Sequence, residues 1–144
     1  MEKPASTRLK VALKKHLLGV LAAPKPQIVM GFDKITLEAL HIRIVTPERE
    51  PEMLNGRTSG TWMMQSSVHV AEHVDRVGEG YQQLVERVEA ALLDSAMAGG
   101  LRAAIKAQDA TLVVNEVRLG AVREGVDQRG MCVTSFDVEC AAGR

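Results

Sequence analysis

The amino-acid sequence predicts an α+β fold, in which two amphipathic helices pack on a mostly antiparallel sheet of two hairpins, in the order α-β-β-α-β-β. Two observations lead to this prediction. Residues 81–98 place apolar side chains at helical spacing along one stripe. The segments on either side alternate apolar and polar residues with the period of two that strands show. A helix with a single apolar stripe needs a surface to cover it, and a sheet supplies one.

Length and charge limit the kind of protein. A chain of 144 residues fits one domain, residues 1–144, with a single core. Its 18 basic and 18 acidic side chains cancel, so we expect no sequence-specific nucleic-acid partner. Apolar runs fall short of the roughly 18 residues that span a bilayer, so no membrane partner is expected. The N-terminal stretch interrupts its apolar positions with lysines, and this indicates a cytoplasmic protein without a signal peptide.

The N-terminal segment predicts a first helix followed by a short strand. The helix carries basic side chains on one side and an apolar stripe on the other, formed by Leu9, Ala12, Leu13, Leu17, Val20 and Leu21. Residues 27–32 are a short apolar run that predicts an edge strand, although Gly31 weakens a strand at this point.

Two alternating segments predict the first hairpin. Residues 37–45 alternate, and Pro47 is expected to end this strand. Residues 46–60 hold prolines, glycines and charges with little to bury, so we expect a long mobile loop. Residues 61–74 alternate again, and one face of this strand consists of Trp62, Met64, Ser66, Val68 and Val70.

The second half predicts the main helix and another hairpin. The helix lies within residues 81–98, and its apolar stripe consists of Tyr81, Leu84, Val85, Val88, Ala91 and Leu92. Residues 101–108 can add a short helical turn. Residues 112–122 and 129–141 have the alternation of strands. The charged residues 123–130 between them predict a polar tip that is a candidate contact surface.

The two cysteines are expected to be separate thiols. Cys132 and Cys140 lie eight positions apart in one predicted strand, a span of about 26 Å at 3.3 Å per residue. A disulfide tolerates only about 7 Å between Cα atoms. We therefore interpret them as small side chains of a reduced protein.

The residue patterns predict no catalytic, cofactor or metal site. His69 and His73 have a spacing that would bring two imidazoles together on a helix, but they fall in a predicted strand. Ser66 and Ser67 lie mid-strand near His69, without the sharp turn that holds a nucleophile. Structural roles are the simpler interpretation for all four side chains.

The order of elements resembles that of the tail terminator proteins of tailed bacteriophages. The length, the basic first helix, the long polar segment of the first hairpin and the charged tip of the second contribute to this resemblance. Its most suggestive stretches are VRLGAVREGVDQRGMCVTSFDVEC and TWMMQSSVHVAEHVDRVGEGYQQLVERVEAAL. It covers essentially the whole chain and rests on arrangement, since no motif is specific enough to transfer a functional residue.

The resemblance implies a structural virion protein of the tail and neck, which is not an enzyme and uses no cofactor. Such a protein assembles in the host cytoplasm as a ring, a homohexamer, that caps the tail tube protein and stops its polymerisation. The ring then meets the head-side connector or neck protein. Charges in the two predicted loops, and a tryptophan beside the first, supply the candidate protein-interface residues, which are Arg49, Arg57, Trp62, Arg123, Asp127 and Arg129.

Two other classes of function remain open from the sequence. One is a different component of the same virion, such as a neck, head-completion or tail tube protein. The other is a small cytoplasmic ligand-binding domain or enzyme, in which Ser66, His69 and His41 would be examined first. A ring-forming protein should assemble as a discrete oligomer, alone or with its tube partner. An enzyme should bind a small molecule as a monomer or dimer.

Overall fold

The computed structural model describes residues 5–21, 27–30, 39–54, 57–94 and 100–143. Its elements follow in the order α1 (Ala5–Val20), β1 (Gln27–Met30), β2 (His41–Leu54), β3 (Arg57–His73), α2 (Glu79–Asp94), α3 (Gly100–Gln108), β4 (Val113–Val126) and β5 (Met131–Gly143). A 3-10 turn, Val74–Arg76, follows β3. The predicted α+β class is confirmed. The described residues contain three α-helices and a five-stranded mixed sheet, where the sequence predicted two helices and two hairpins.

The strands are arranged in the order β1-β2-β3-β5-β4. Both predicted hairpins are present, since β2 pairs antiparallel with β3 and β4 pairs antiparallel with β5. The long strands β3 and β5 join the two hairpins at the centre. β1 runs parallel to β2, from Gln27 opposite His41 to Met30 opposite Ile44. It is the edge strand predicted for residues 27–32, although residues 31 and 32 lie outside the described ranges.

The described helices cover one face of the sheet, which we call the inner face. The apolar stripes of α1 and α2 meet strand residues that alternate as predicted. Side chains with no solvent exposure at this interface include Leu9, Leu13, Leu17, Ile42, Ile44, Val68, Val70, Val88, Leu92, Phe136 and Val138. Cys140 is also buried there, and burial raises the pKa of its thiol to about 11. Both cysteines are free thiols on β5.

The long loop predicted for residues 46–60 was wrong. β2 continues to Leu54 and β3 begins at Arg57, so most of this segment is paired strand. Pro47 does not end β2, because it lies where the register shifts between Val45 and Glu48. Among the described residues, β1 pairs with β2 only as far as Ile44. A proline is tolerated at an edge or an irregularity because no ladder hydrogen bond needs its missing N–H.

The polar tip predicted for residues 123–130 is shorter than expected. β4 extends to Val126, and only residues 127–130 form the turn. The N–H of Asp127 donates to the carbonyl oxygen of Met131 across 2.9 Å, and the N–H of Gly130 donates to that of Asp127 across 3.2 Å. Gly130 has a φ of 79°, which a residue without a Cβ adopts at little cost. The charges of residues 123–126 therefore lie on a paired strand.

Within the described ranges, none of the helices combines the length and apolar character that crossing a membrane requires.

Candidate functional site

Four residues form a row across the outer face of the sheet, the face opposite the described helices. Arg43 on β2 pairs with His69 on β3, and His69 pairs with Ser135 on β5. Ser135 also pairs with Arg123 on β4. Paired residues on neighbouring strands lie on the same face with Cβ atoms about 5 Å apart. Four strands therefore bring two arginines and a histidine onto one line of the outer face.

A groove of about 580 Å³ opens beside this row. Its lining includes the four residues of the row together with Val45, Glu124, Gly125, Val126, Asp127, Arg129 and Val133. Gly125 has no side chain and therefore leaves room for the groove. It pairs with Val133, one row towards the tip. A Cβ placed on Gly125 would meet no atom within 4 Å. The groove is therefore an open depression lined by both arginines and valines.

A buried polar pair lies next to the groove. Ser67 Oγ donates a hydrogen bond to Asp137 Oδ1 across 2.9 Å, and both residues are buried. Arg123 Nη2 lies 3.8 Å from Asp137 Oδ2, with side-chain exposures of 75% for the arginine and 6% for the aspartate. The serine hydroxyl thus donates to a carboxylate, which differs from the serine–histidine contact that activates a nucleophile. The arrangement favours ion pairing over acyl transfer.

The two histidines of the outer face carry little positive charge near neutral pH. His41 Nδ1 lies 2.8 Å from the carbonyl oxygen of Ala39, to which it can only donate. Burial lowers the pKa of His41, and it also lowers the pKa of His69 despite the nearby Asp137 carboxylate. Among the described residues, no group of three or more His, Cys, Asp or Glu side chains is placed to hold a metal ion. Arginine is therefore the main cation of the groove.

The hairpin tip holds its two charged residues in fixed positions. Asp127 Oδ1 accepts hydrogen bonds from the N–H groups of Arg129, at 2.8 Å, and Met131, at 3.0 Å. Arg129 Nη2 lies 3.7 Å from Asp127 Oδ2. The carbonyl oxygen of Gly130 accepts from the N–H of Val74 across 2.8 Å, which fastens the tip to the end of β3. Backbone contacts therefore set the position of the tip beside the groove.

The six residues singled out from the sequence divide into two sets. Arg123, Asp127 and Arg129 come together at the groove. Trp62 is 39% exposed on β3, opposite Pro51, and does not line the groove. Arg49 and Arg57 lie in β2 and β3, and their side chains are outside the described part of the chain.

Sequence reasoning missed the contribution of Arg43, Gly125, Val133 and Ser135 to the groove. Alternation does direct Arg43 to the face opposite that of Ile42 and Ile44, so its outward position was predictable. Its meeting with Arg123 was not, since it depends on the register of four strands. A glycine within a strand, such as Gly125, was the one local signal of an open site.

Comparison with known proteins identifies the fold alone. No protein-family model matches this sequence, and no curated protein matches it. The structure is similar to a solved chain whose name states no function, with a TM-score of 0.52 and 12% sequence identity. The match covers 96% of this chain and 95% of the other. At this identity the similarity supports a shared α+β architecture over the whole chain.

Proposed function

We propose that this protein is a structural component of a tailed-bacteriophage virion and acts as a tail terminator. In this role, copies of the chain form a ring, a homohexamer, on the end of the tail tube. The ring stops polymerisation of the tube protein and presents its other side to the head-side connector or neck protein. The resemblance in the order of elements suggests this role, and the charged groove beside the tip supports it.

The observation that carries the proposal is the grouping of Arg123, Asp127 and Arg129 around an open groove. The three residues are exposed on the hairpin tip and the adjoining strand, and the backbone of the tip holds them in place. Exposed charged residues beside apolar ones are typical of a protein–protein contact, in which a polar rim surrounds an apolar core. A ring subunit needs such a surface on at least one side.

The edges of the sheet support the same role. In the described residues, β4 has a hydrogen-bonded neighbour on one side only, and so does β2 beyond Ile44. Edges with free N–H and C=O groups are surfaces that another chain can pair with. They lie on opposite sides of the sheet, so each copy offers one edge to each of two neighbours.

The proposed function is tested by mixing the purified protein with its tail tube subunits. We expect discrete rings on tube ends in electron micrographs and tubes that stop lengthening when the protein is added. Sedimentation of the protein alone and with tube subunits measures the size of the assembly. If tubes grow to the same length distribution at every protein concentration, and no protein is seen at their ends, the terminator function is wrong.

A further inference from the structure

We propose that two copies of this chain pair along the exposed edges of their β4 strands, about a two-fold axis that passes between the two Gly125 residues. The contact would join the two five-stranded sheets into one continuous sheet. This inference goes beyond the proposed function, because a two-fold pair is a closed assembly of its own. It occupies an edge that a ring neighbour would otherwise use, so the pair and the ring are alternative assemblies.

The half of β4 nearest the hairpin tip is an exposed edge. β4 is the last strand in the sheet order and, within the described ranges, pairs only with β5. Every residue from 121 to 129 is exposed, and Val122 and Val126 are 46% and 62% exposed. A further strand hydrogen-bonded to this edge would cover much of that surface. The edge is therefore open to another molecule.

Hydrogen bonding fixes the direction of the backbone groups on this edge. The N–H of Asp127 donates across the hairpin to the carbonyl oxygen of Met131. Backbone groups of an antiparallel strand change direction from one residue to the next, so those of Gly125 also face β5. The N–H and C=O groups that face away from the sheet then belong to Val122, Glu124 and Val126.

Only this half of β4 is regular enough to receive a second strand. Its ladder with β5 runs without interruption over residues 122–126. Two register shifts lie nearer the start of the strand, and the second of them ends at Val122. Irregularities of this kind bend a strand and hinder pairing with another chain. A second copy would therefore align with the tip half alone, and a contact of this size is a reversible one.

Like charges disfavour the neighbouring registers. In an antiparallel contact about a two-fold axis, the residue on the axis lies opposite its own copy. An axis at Arg123 or Glu124 would place two guanidinium groups or two carboxylates opposite each other, and like charges in this position are destabilising. An axis at Val126 would bring Arg123 opposite Arg129 of the second copy. Each of these registers adds repulsion to the contact.

The register centred on Gly125 brings opposite charges together. Arg123 then lies opposite Asp127 of the second copy, and the symmetry forms this contact twice. Glu124 lies opposite Val126 of the second copy, and the two exchange backbone hydrogen bonds because their N–H and C=O groups face the edge. The two Gly125 residues form the close pair without hydrogen bonds, with Cα atoms about 4.5 Å apart.

The two charged residues have atoms available for this contact. Arg123 is 75% exposed, and its Nη2 lies 3.8 Å from Asp137 Oδ2, farther than the length of about 2.7–2.9 Å of a charge-assisted hydrogen bond. Asp127 uses Oδ1 for the backbone of the tip, and its Oδ2 lies 3.7 Å from Arg129 Nη2. This Oδ2 atom has room to accept from a guanidinium group of the second copy.

Removing one backbone N–H tests whether the edge makes the contact. Glu124→Pro deletes an N–H that faces away from the sheet, so the pairing with β5 remains, as for prolines on other edge strands. Glu124→Gln is the matched control, because it also removes the carboxylate but keeps the N–H. In sedimentation equilibrium, the unchanged full-length chain and Glu124→Gln should form a reversible dimer. Glu124→Pro should raise the dissociation constant at least tenfold.

Thermal unfolding of each variant checks that the single chain remains folded. A protein that stays monomeric at every concentration would overturn the proposal. So would a Glu124→Pro variant that dimerises as strongly as Glu124→Gln.

Cross-linking tests the register. Gly125→Cys places two thiols across the axis, at a Cα separation within the range of about 4.4–6.8 Å that a disulfide accepts. A Cβ at this position meets no atom within 4 Å, so the substitution fits the single chain. Gly19→Cys on α1, where a Cβ also meets no atom within 4 Å, is the control for random collision.

Under mild oxidation, Gly125→Cys should give a covalent dimer on non-reducing gels. Gly19→Cys should give no more than the unchanged chain, which has its own free thiols at Cys132 and Cys140. Equal cross-linking by the two variants would reject the contact. Faster cross-linking by Glu124→Cys than by Gly125→Cys would reject the register.

Charge reversal tests the ion pairs. Arg123→Glu should raise the dissociation constant of the dimer at least tenfold, because it places a carboxylate opposite Asp127 of the second copy. Lys106→Glu, at an exposed position of α3, changes the net charge equally and should leave the dissociation constant within about twofold. Dimers of equal strength in the two variants would overturn the proposal.

Tube growth separates this inference from the proposed function. A protein that passes these dimer tests but leaves tube growth unchanged would uphold the two-fold pair and reject the terminator function. A protein that caps tubes but remains monomeric by itself would reject the pair and uphold the function.

Discussion

Ser67 and Asp137 form a buried hydrogen bond between the two central strands, with 2.9 Å between Ser67 Oγ and Asp137 Oδ1. The two residues are directly paired in the register of β3 and β5. A carboxylate that is almost completely buried needs donors, because leaving it without them costs free energy. The serine therefore supports Asp137, whose other carboxylate oxygen lies 3.8 Å from Arg123 Nη2 at the groove.

Removing the serine hydroxyl should destabilise the fold. Ser67→Ala leaves the buried Asp137 carboxylate with one fewer donor, and we expect a loss of about 1–3 kcal/mol in the free energy of unfolding. Urea denaturation measures it. Gln65→Ala, two residues earlier on the same strand face and half-buried, is the control and should change stability by less. A Ser67→Ala protein as stable as the unchanged one would show that Asp137 does not depend on this bond.

Placing a carboxylate in the helix–sheet interface should prevent folding. Leu84 and Val88 lie on the inner stripe of α2 and are 2% and 0% exposed. Leu84→Asp or Val88→Asp buries an unpaired charge at a cost of several kcal/mol, against a total stability of about 5–15 kcal/mol. Circular dichroism should show loss of cooperative unfolding. Gln83→Asp, on the exposed side of the same helix, should leave the melting curve nearly unchanged.

An ion pair should contribute stability that acid removes. Arg8 on α1 donates to both carboxylate oxygens of Asp109, at 3.0 and 2.9 Å, and also to Thr111. The hydrogen bonds from Arg8 lower the pKa of Asp109 to about 2. The stabilisation is therefore present above about pH 4, the ordinary pKa of the carboxyl group, and is lost as the pH falls towards 2.

Asp109→Asn should cost about 1–2 kcal/mol near neutral pH, because the pair is partly exposed and water screens it. Urea denaturation at pH 7 and pH 3 measures the change. Lys106→Met removes an exposed charge on α3 and is the control, with little expected effect. A cost that stays the same from pH 7 to pH 3 would contradict the assignment of the charge to Asp109.

The outer-face histidines should make the protein less stable in mild acid. Burial lowers the pKa of His41 and His69 below the ordinary value of 6.5. Below about pH 6.5 the unfolded chain therefore binds protons that the folded chain resists, and stability falls as the pH decreases from about 6.5 to the folded pKa values. Melting temperatures between pH 8 and pH 5 should decline. The double variant His41→Gln and His69→Gln should show a flatter profile, and an equally steep decline would contradict the prediction.

A side chain at Gly130 should destabilise the hairpin tip. A Cβ at this position would lie 3.3 Å from His73 Nε2, on a backbone with φ of 79°. Gly130→Ala should cost about 1–2 kcal/mol, since the left-handed conformation is unfavourable for a residue with a Cβ. Gly125→Ala, on the same hairpin where a Cβ meets open space, should be neutral or slightly stabilising. Thermal unfolding of both variants tests this, and equal melting temperatures would refute it.

Sequence reasoning predicted features that depend on local periodicity and missed those that depend on pairing. The stripe of α2 and the buried face of β3 followed from spacing alone. The extension of β2 through Pro47 did not, because the partner strand β3 holds that segment in the sheet. The parallel pairing of β1 with β2 also depends on contacts across the fold. The third helix, Gly100–Gln108, instead matches the short helical turn predicted for residues 101–108.

The residues of the candidate site also divide into those that the local sequence indicated and those that strand pairing brought in. Arg123, Asp127 and Arg129 lie close enough together in the sequence to indicate a charged contact surface on the second hairpin. That Arg43 and His69 share the groove with them followed only from tertiary structure, since residues far apart in sequence meet there.

By itself, the sequence determined which side of the predicted helices and strands faces the core, because side-chain direction repeats with the local backbone geometry. Only the tertiary structure decided how the strands align, and with that which outward side chains form the groove. The physical reason is that the pattern of one segment shows its buried face but not which distant strand it pairs with, and the register follows from how the buried faces of paired strands match.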